Sequence, residues 1–427
     1  MVSAPLSSLD VAFLCLSRET APMQMGAALV FAPEEPVRPD RLVALLARRA
    51  AEIPALRRKV RAGLFPPGSA SWVDDPDFQA VKHIHHHRLT TLYDPDPLPE
   101  FAAKWIAEPL DPRRPLWELT VVTGIPDGSF AVLLKLHHAL TDGAGAYAVV
   151  VGLLDGLPFP MPAPSVPRPR TPMDAVRDTL ETAGIASSVV RAAARPPCLP
   201  LAAPATAERR LGFARLASAD LRRIRRTHGG TTNDVVLAVL SGALREWLIN
   251  RGIRATGRSV RALIPVSVRG RAAEQWGGNK LSGYLCDLPI GTDHPVRRLT
   301  EVRAAMTRNK AAGPSRGAGA FPLLADRMPA ALHRLGTRAA GLAAPLLFDL
   351  VVTTVPVPRA RHALAGAPLT EVYPFVPLAP RQAVGIAVAP YLDNVHIGLQ
   401  ANADAVEDLG SLRDAVAKSA AELLDAS

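Results

Sequence analysis

Residues 129–137 (SFAVLLKLH) run straight into His138-Ala139-Leu140-Thr141-Asp142-Gly143, so an apolar strand delivers two adjacent histidines to a turn closed by Asp-Gly. Successive side chains of a strand point to opposite faces, so one histidine can face a cleft while the other packs inward. Asp142 lies on the turn, where it can fix the loop or orient an imidazole. Gly143 and Gly145 allow close approach of a substrate or of backbone before a helix expected over 146–154. Imidazole titrates near neutrality and suits general-base work, which makes whichever histidine faces the cleft a candidate base. Two other chemistries fit less well. Gly143-Ala144-Gly145-Ala146-Tyr147-Ala148 has the dinucleotide-binding spacing, but its glycines come late after the strand and a Pro-rich stretch follows instead of a second parallel strand. A metal held by His137, His138 and Asp142 would require neighbouring strand side chains to converge.

The strand before the motif is the second arm of a hairpin, 117–125 and 129–137, turned at Pro126-Asp127-Gly128. Upstream, Asp40 is expected to cap a helix whose Leu42, Leu45, Leu46 and Ile53 keep helical spacing up to Pro54. His83-Ile84-His85-His86-His87 falls in an expected strand, without cysteine or a nearby carboxylate, and reads as structural. Downstream, 158–172 and 195–204 are crowded with proline and read as extended crossovers around one helix at 173–194. A basic helix is expected at 219–227. Thr231-Thr232-Asn233-Asp234 then caps a long helix from about 235 to 249. Strands are expected at 261–268 and 283–289, and a second hairpin, 383–389 with 395–401, across Tyr391-Leu392-Asp393-Asn394. This alternation predicts a mixed, two-layer α/β chain. The expected division is an N-terminal lobe at 1–157, a crossover at 158–205 and a C-terminal lobe at 206–427.

Composition narrows the function. Of 427 residues 48% are hydrophobic and 21% charged, enough apolar material for a large core. The net charge of +10 suits an anionic partner, but aromatics are only 5% and no basic stripe is interleaved with them, which argues against nucleic acid. Cys15, Cys198 and Cys286 offer neither a disulfide framework nor a CxxC pair, as expected of a cytoplasmic protein. The start of the chain lacks signal-peptide character, and 339–352 is too short and too interrupted to span a bilayer. No G-x-S-x-G elbow or Walker loop is present, which favours direct attack on an acyl donor over an acyl-enzyme.

With these residues in view, the chain resembles the bacterial wax ester synthase/diacylglycerol acyltransferases, members of the superfamily that includes chloramphenicol acetyltransferase and peptide-synthetase condensation domains. The resemblance rests on His-His-x-x-x-Asp-Gly at 137–143 and on ordered blocks that flank it. These are Pro5-Leu6-Ser7-Ser8-Leu9-Asp10 with Pro22-Met23, Leu110-Asp111 with Arg114-Pro115-Leu116-Trp117-Glu118, Asn233-Asp234-Val235-Val236-Leu237-Ala238, Pro265-Val266-Ser267-Val268-Arg269, and Gly278-Asn279 with Ser282. It implies two chloramphenicol-acetyltransferase-like lobes, which exchange strands in this fold, with a tunnel between them. It also implies acyl-CoA as co-substrate, with no bound cofactor or metal, and a hydrophobic alcohol as acceptor, diacylglycerol or a long-chain alcohol. His138 would be the base beside His137. Asp142 would be structural, paired with Arg269, and Gly143 would complete the motif. Asn279 and Ser282 would contact the reacting carbonyl, with Asn233 in support. Where the family has Asn-Val-Pro-Gly-Pro, this chain has Thr354-Val355-Pro356-Val357-Pro358, so Thr354 and Val357 are expected to narrow the tunnel. Net +10 and the cluster Arg222-Arg223-Ile224-Arg225-Arg226 lead us to expect any contact with the inner membrane face or a lipid droplet to be peripheral and electrostatic. Two alternatives stay open: acylation of a natural-product hydroxyl or amine, and a non-catalytic lipid- or carrier-protein-binding relative.

Overall fold

The computed structural model describes residues 4–63, 69–90, 97–156, 182, 184–185, 187–190, 201–267, 279, 281–313, 317–323, 346–358 and 360–427. Its strands are β1 (Ala4–Pro5), β2 (Gln24–Phe31), β3 (Arg58–Ala62), β4 (Ala70–Asp74), β5 (Ile84–Arg88), β6 (Trp117–Thr123), β7 (Phe130–His137), β8 (Arg209–Ala217), β9 (Val260–Ser267), β10 (Leu281–Leu288), β11 (Leu350–Thr354), β12 (Ala363–Leu364), β13 (Ala367–Phe375), β14 (Val384–Tyr391) and β15 (Asn394–Asn402). The helices that matter here are α1 (Ser8–Leu16), α2 (Pro39–Glu52), α3 (Pro97–Ala107), α4 (Gly143–Leu153), α5 (Ser218–His228), α6 (Thr232–Asn250), α7 (Pro295–Ala312) and α8 (Leu409–Asp425).

Two mixed six-stranded sheets organise the chain, one ordered β12-β13-β2-β7-β6-β5 and the other β10-β9-β11-β14-β15-β8, beside a small β1-β4-β3 sheet. β12 and β13 come from the C-terminal half yet complete the N-terminal sheet, with β13 antiparallel to β2. One face of the N-terminal sheet packs on α2 and α4 through Leu42, Leu46, Leu134, Leu136, Val149 and Leu153. Its other face meets α3 through Ala102, Ile106 and Leu133. The C-terminal sheet is covered by α5–α8, with Trp247, Leu299, Ile397 and Val416 buried between them.

The lobes meet where β13 lies against the C-terminal sheet. Phe213 of β8 stacks on Tyr373 at 4.4 Å. Gly398 of β15 faces the carbonyl of Pro374 so closely that a Cβ there would overlap it. That contact ties the two sheets together and sets the position of any site between them.

Local signals in the sequence explain most element boundaries. Thr231 and Asp234 form a reciprocal capping box at the start of α6. The β14–β15 hairpin closes through Leu392-Asp393, with Tyr391 paired to Asn394 and Leu392 at positive φ. Asp40 is not a cap: it sits inside the first turn of α2, ion-paired to the exposed Arg38, and no side chain caps that helix. Pro39 at the first helical position is what the start retains of a stop–start signal. The helix after the motif begins at Gly143, three residues earlier than expected, because Asp142 is its cap. Within His83–His87 the strand starts at Ile84. His83 stacks on Trp117, His86 Nε2 contacts Thr123 Oγ1 at 2.9 Å and His87 stacks on Phe101. The crossover 158–205 and the helix expected at 173–194 fall largely outside the described residues.

Candidate active site

β7 ends at His137, and the two histidines then diverge. His137 is buried, and its Nδ1 accepts the N–H of Ala139 at 3.0 Å. A backbone N–H can only donate, so Nδ1 carries the lone pair and the proton resides on Nε2. Burial, with the adjacent His138, pushes the His137 imidazole down to about 3. His137 is therefore neutral and built into the turn.

His138 is held from both lobes. Its backbone N–H donates to Met23 O at 2.8 Å, and its ring stacks on Phe13 of α1, with centroids 4.1 Å apart. Its Nδ1 lies 3.0 Å from Asn279 Oδ1, across 141 residues of sequence. Asn279 Nδ2 donates to the carbonyl of His138 at 2.7 Å and to Asp10 Oδ1 at 2.6 Å. The Asn279 backbone N–H also donates to Asp10 Oδ1, at 3.1 Å. No hydrogen bond occupies His138 Nε2 among the described residues. Burial lowers the His138 imidazole below its usual range, while its own carbonyl, Asp142 and Asn279 oppose that shift. A neutral imidazole with one nitrogen anchored and the other unengaged can accept a proton from a bound hydroxyl.

The rest of the turn is scaffolding. Asp142 caps α4, its Oδ1 accepting the Gly145 N–H at 3.0 Å, a contact that fixes the loop, and its charge also acts on the His138 ring. A Cβ on Gly145 would sit inside Thr141 Oγ1, whereas one on Gly143 would meet, among the described residues, only Val355 Cγ2 at 3.9 Å. Gly145 is thus required by packing, and none of the described residues crowds Gly143.

The remaining expected residues divide. Both Nδ2 protons of Asn279 are committed, so it has no donor left for a reacting carbonyl and instead orients His138. Ser282 is buried on β10, three residues further on. Asn233, in the first turn of α6, accepts a hydrogen bond from Thr354 at 3.2 Å. Val357 packs against the N-terminal core beneath the motif. Its φ is not left-handed, so this loop does not call on the conformational freedom that the family's Gly has. Val355, which the sequence reading passed over, is the loop residue that approaches Gly143. Arg269, expected to pair with Asp142, lies outside the described residues. Asp10 was also passed over as a site residue. Its local signal, Ser7-x-x-Asp10, is a helix capping box, and that box is present at α1. No group of three or more His, Cys, Asp or Glu among the described residues could hold a metal. A cleft of about 700 Å³ between β5 and α3, lined by His85, His87, Phe101 and Trp105 among others, contains none of the motif residues.

Comparison with known proteins finds relatives over nearly the whole chain. The family model described as the wax ester synthase/diacylglycerol acyltransferase catalytic domain matches residues 6–178. The corresponding C-terminal domain matches 277–424. A Mycobacterium tuberculosis protein described as a probable diacylglycerol O-acyltransferase is 31% identical, covering 97% of this chain and 95% of its own. A second from the same organism is 29% identical over 91% and 92%. Among solved structures, the wax ester synthase/diacylglycerol acyltransferase of Marinobacter aquaeolei superposes with a TM-score of 0.75 at 23% identity, covering 98% of both chains. The trichothecene 15-O-acetyltransferase of Fusarium sporotrichioides gives 0.69 at 13% identity, over 99% and 96%. At those identities the two structures establish a shared fold.

Proposed function

The chain belongs to the wax ester synthase/diacylglycerol acyltransferase family, and from that premise we propose that it transfers a fatty acyl group from acyl-CoA to a hydrophobic alcohol, diacylglycerol or a long-chain alcohol. The observation that carries the mechanism is His138, anchored at Nδ1 by Asn279 and unengaged at Nε2. Nε2 takes the proton of the acceptor hydroxyl as its oxygen attacks the thioester carbonyl. The tetrahedral intermediate then collapses with breakage of the C–S bond. The imidazolium returns its proton to the departing CoA sulfur, leaving ester and free thiol.

The acceptor is lipid, so the reaction needs access to a lipid surface. No helix among the described residues is long and apolar enough to cross a membrane. α5 instead exposes Arg222, Arg223, Arg225 and Arg226 while burying Leu221 and Ile224. Its basic face supports peripheral, electrostatic contact with anionic lipid. Sedimentation with anionic but not neutral liposomes, lost in high salt, is the expected behaviour, and equal binding to neutral vesicles contradicts it.

The activity is tested by thiol release from palmitoyl-CoA with diacylglycerol, hexadecanol and a polar hydroxyl or amine acceptor. Release with the lipid alcohols is expected, and His138→Ala should lose about 10²–10⁴ in kcat, the range of general bases. Release only with the polar acceptor overturns the substrate class. A His138→Ala variant retaining more than about a tenth of kcat overturns the base.

A further inference from the structure

Among the interactions at the candidate site, one is not explained by folding alone. Asp10 lies on α1 and Asn279 just before β10, 269 residues apart, yet Asp10 Oδ1 accepts two hydrogen bonds from Asn279, through the backbone N–H and through Nδ2. Asp10 Oδ2 is held in turn by the backbone N–H of Ser7 at 3.1 Å. Asp10 is 1% and Asn279 2% exposed, so the pair is sealed from water. A buried carboxylate is costly unless its lone pairs are met, and here each oxygen is.

The orientation of the Asn279 amide follows from its partners. Asp10 Oδ1 and the carbonyl of His138 are both acceptors and both face Nδ2. Turning the amide over would set its oxygen against two acceptors at once, so Oδ1 must face His138 Nδ1. An amide oxygen only accepts, and the Nδ1 that meets it must therefore donate. Asn279 and residue 138 close a two-point ring, Nδ1–H to Oδ1 and Nδ2–H to the carbonyl, and Asp10 fixes the far side of the amide.

We infer that Asp10 and Asn279 are positioning residues that hold His138 in the tautomer with its proton on Nδ1 and its lone pair on Nε2. Neither touches the reacting atoms. Asn279 favours the tautomer together with the carbonyl of His138 itself, and Asp10 locks the amide and places a carboxylate behind it, so that the imidazolium formed during transfer is met by an aligned chain of dipole and carboxylate. His137, adjacent in sequence, is held in the opposite tautomer by Ala139, so the two rings differ by design of their partners and not by chance of burial. The inference rests on the proposed role of His138, but the arrangement itself can be read without turnover.

The test is ¹⁵N NMR of histidine-labelled protein at neutral pH, with the His138 signals assigned by their loss in His138→Ala. The expected result is a protonated Nδ1 and an unprotonated Nε2 in the wild type, and a larger Nε2-protonated fraction in Asn279→Ala than in the wild type. A wild-type ring protonated on Nε2 overturns the inference, even if His138→Ala is inactive. Intact tautomer selection with an active His138→Ala variant would instead overturn the base assignment alone. In kinetics, Asn279→Ala should lower kcat about 10–100-fold, the scale of one charge-assisted hydrogen bond, with KM for palmitoyl-CoA little changed.

Asp10→Asn keeps an oxygen for Asn279 but removes the charge. Among the described residues, the charged or titratable groups around His138 are Asp142 at the start of α4, His137 on β7 and, behind Asn279, Asp10 on α1, whose carboxyl burial pushes up while its hydrogen bonds from Asn279 and Ser7 hold it down. Loss of the Asp10 charge should move the acid limb of kcat/KM to lower pH. A merely structural role would lower the folded fraction and leave the limb in place, and an unmoved limb with unchanged kcat overturns the part assigned to Asp10.

Discussion

Replacing His137 by Asn tests whether the first histidine of the motif is structural. Asn Oδ1 can take the place of Nδ1 and accept the Ala139 N–H, so the turn keeps its hydrogen bond while the titrating group is removed. In the native chain the His137 pKa is depressed to about 3 by burial, against 6.5 for an unperturbed imidazole. The folded state therefore binds the proton more weakly than the unfolded one. The stability at stake is fully present above about pH 6.5 and drains away as pH falls toward 3. The whole window amounts to about 5 kcal/mol, of which about 2 kcal/mol is lost by pH 5. His83, His138, His362 and His396 are also depressed by burial, but they are common to both proteins and cancel in the comparison. Urea unfolding followed by tryptophan fluorescence at pH 7.5 and pH 5 should show the wild type losing about 2 kcal/mol more than His137→Asn. Equal losses, within about 0.5 kcal/mol, would mean that His137 is not held neutral in the folded chain and would refute the tautomer assigned to it.

Three further outcomes follow from the same turn and its neighbours. The acid limb of kcat/KM should have its midpoint below 6.5, because burial lowers His138 and only the neutral ring accepts a proton; a midpoint above 6.5 contradicts this. Asp142→Ala should destabilise the protein by about 0.5–2 kcal/mol through loss of the α4 cap, read as a shift in urea midpoint at constant slope, and no shift would remove Asp142 from that role. Thr354→Asn with Val357→Gly should raise kcat/KM for diacylglycerol more than for hexadecanol, as a narrowed tunnel requires; a ratio within about twofold of wild type would show that this loop does not select the acceptor.

Features written in local chemistry were legible in the sequence. The Thr231–Asp234 box, the 391–394 turn and the strand–turn–helix of the motif each depend on residues within a few positions of one another. Asp40 misled because an acidic residue near a helix start looks like a cap, and only the placement of the first turn around Pro39 shows otherwise. Membership of β12 and β13 in the N-terminal sheet, and the bond between Asp10 and Asn279, join parts of the chain whose spacing carries no periodic signal. Asp10 was hidden twice over, since its capping box at α1 already accounted for it. The committed amide protons of Asn279 were likewise invisible, so a residue in the right place was given the wrong partner.

The glycines of the motif show how packing and function can be separated by one methyl group. Both stand at the start of α4, and sequence alone gives each the same explanation. At Gly145 an added Cβ would overlap Thr141 Oγ1, a buried side chain, and something must shift. Gly145→Ala should therefore destabilise by about 1–3 kcal/mol, the cost of overpacking a filled site. Among the described residues the same methyl at Gly143 meets only Val355 Cγ2, at ordinary contact distance, and its φ is not among the left-handed ones. Gly143→Ala should leave stability unchanged within about 0.5 kcal/mol. Its methyl would nonetheless occupy space five residues after the base, beside the loop at Val355. If that space belongs to substrate, Gly143→Ala should fold normally and still lower kcat/KM by about 10-fold or more, as a small displacement of a reacting group does. Urea unfolding and thiol release on the two variants give four numbers. Wild-type kinetics in Gly143→Ala would show that the opening beside it holds no part of either substrate, and that the glycine, like its neighbour, serves the turn alone.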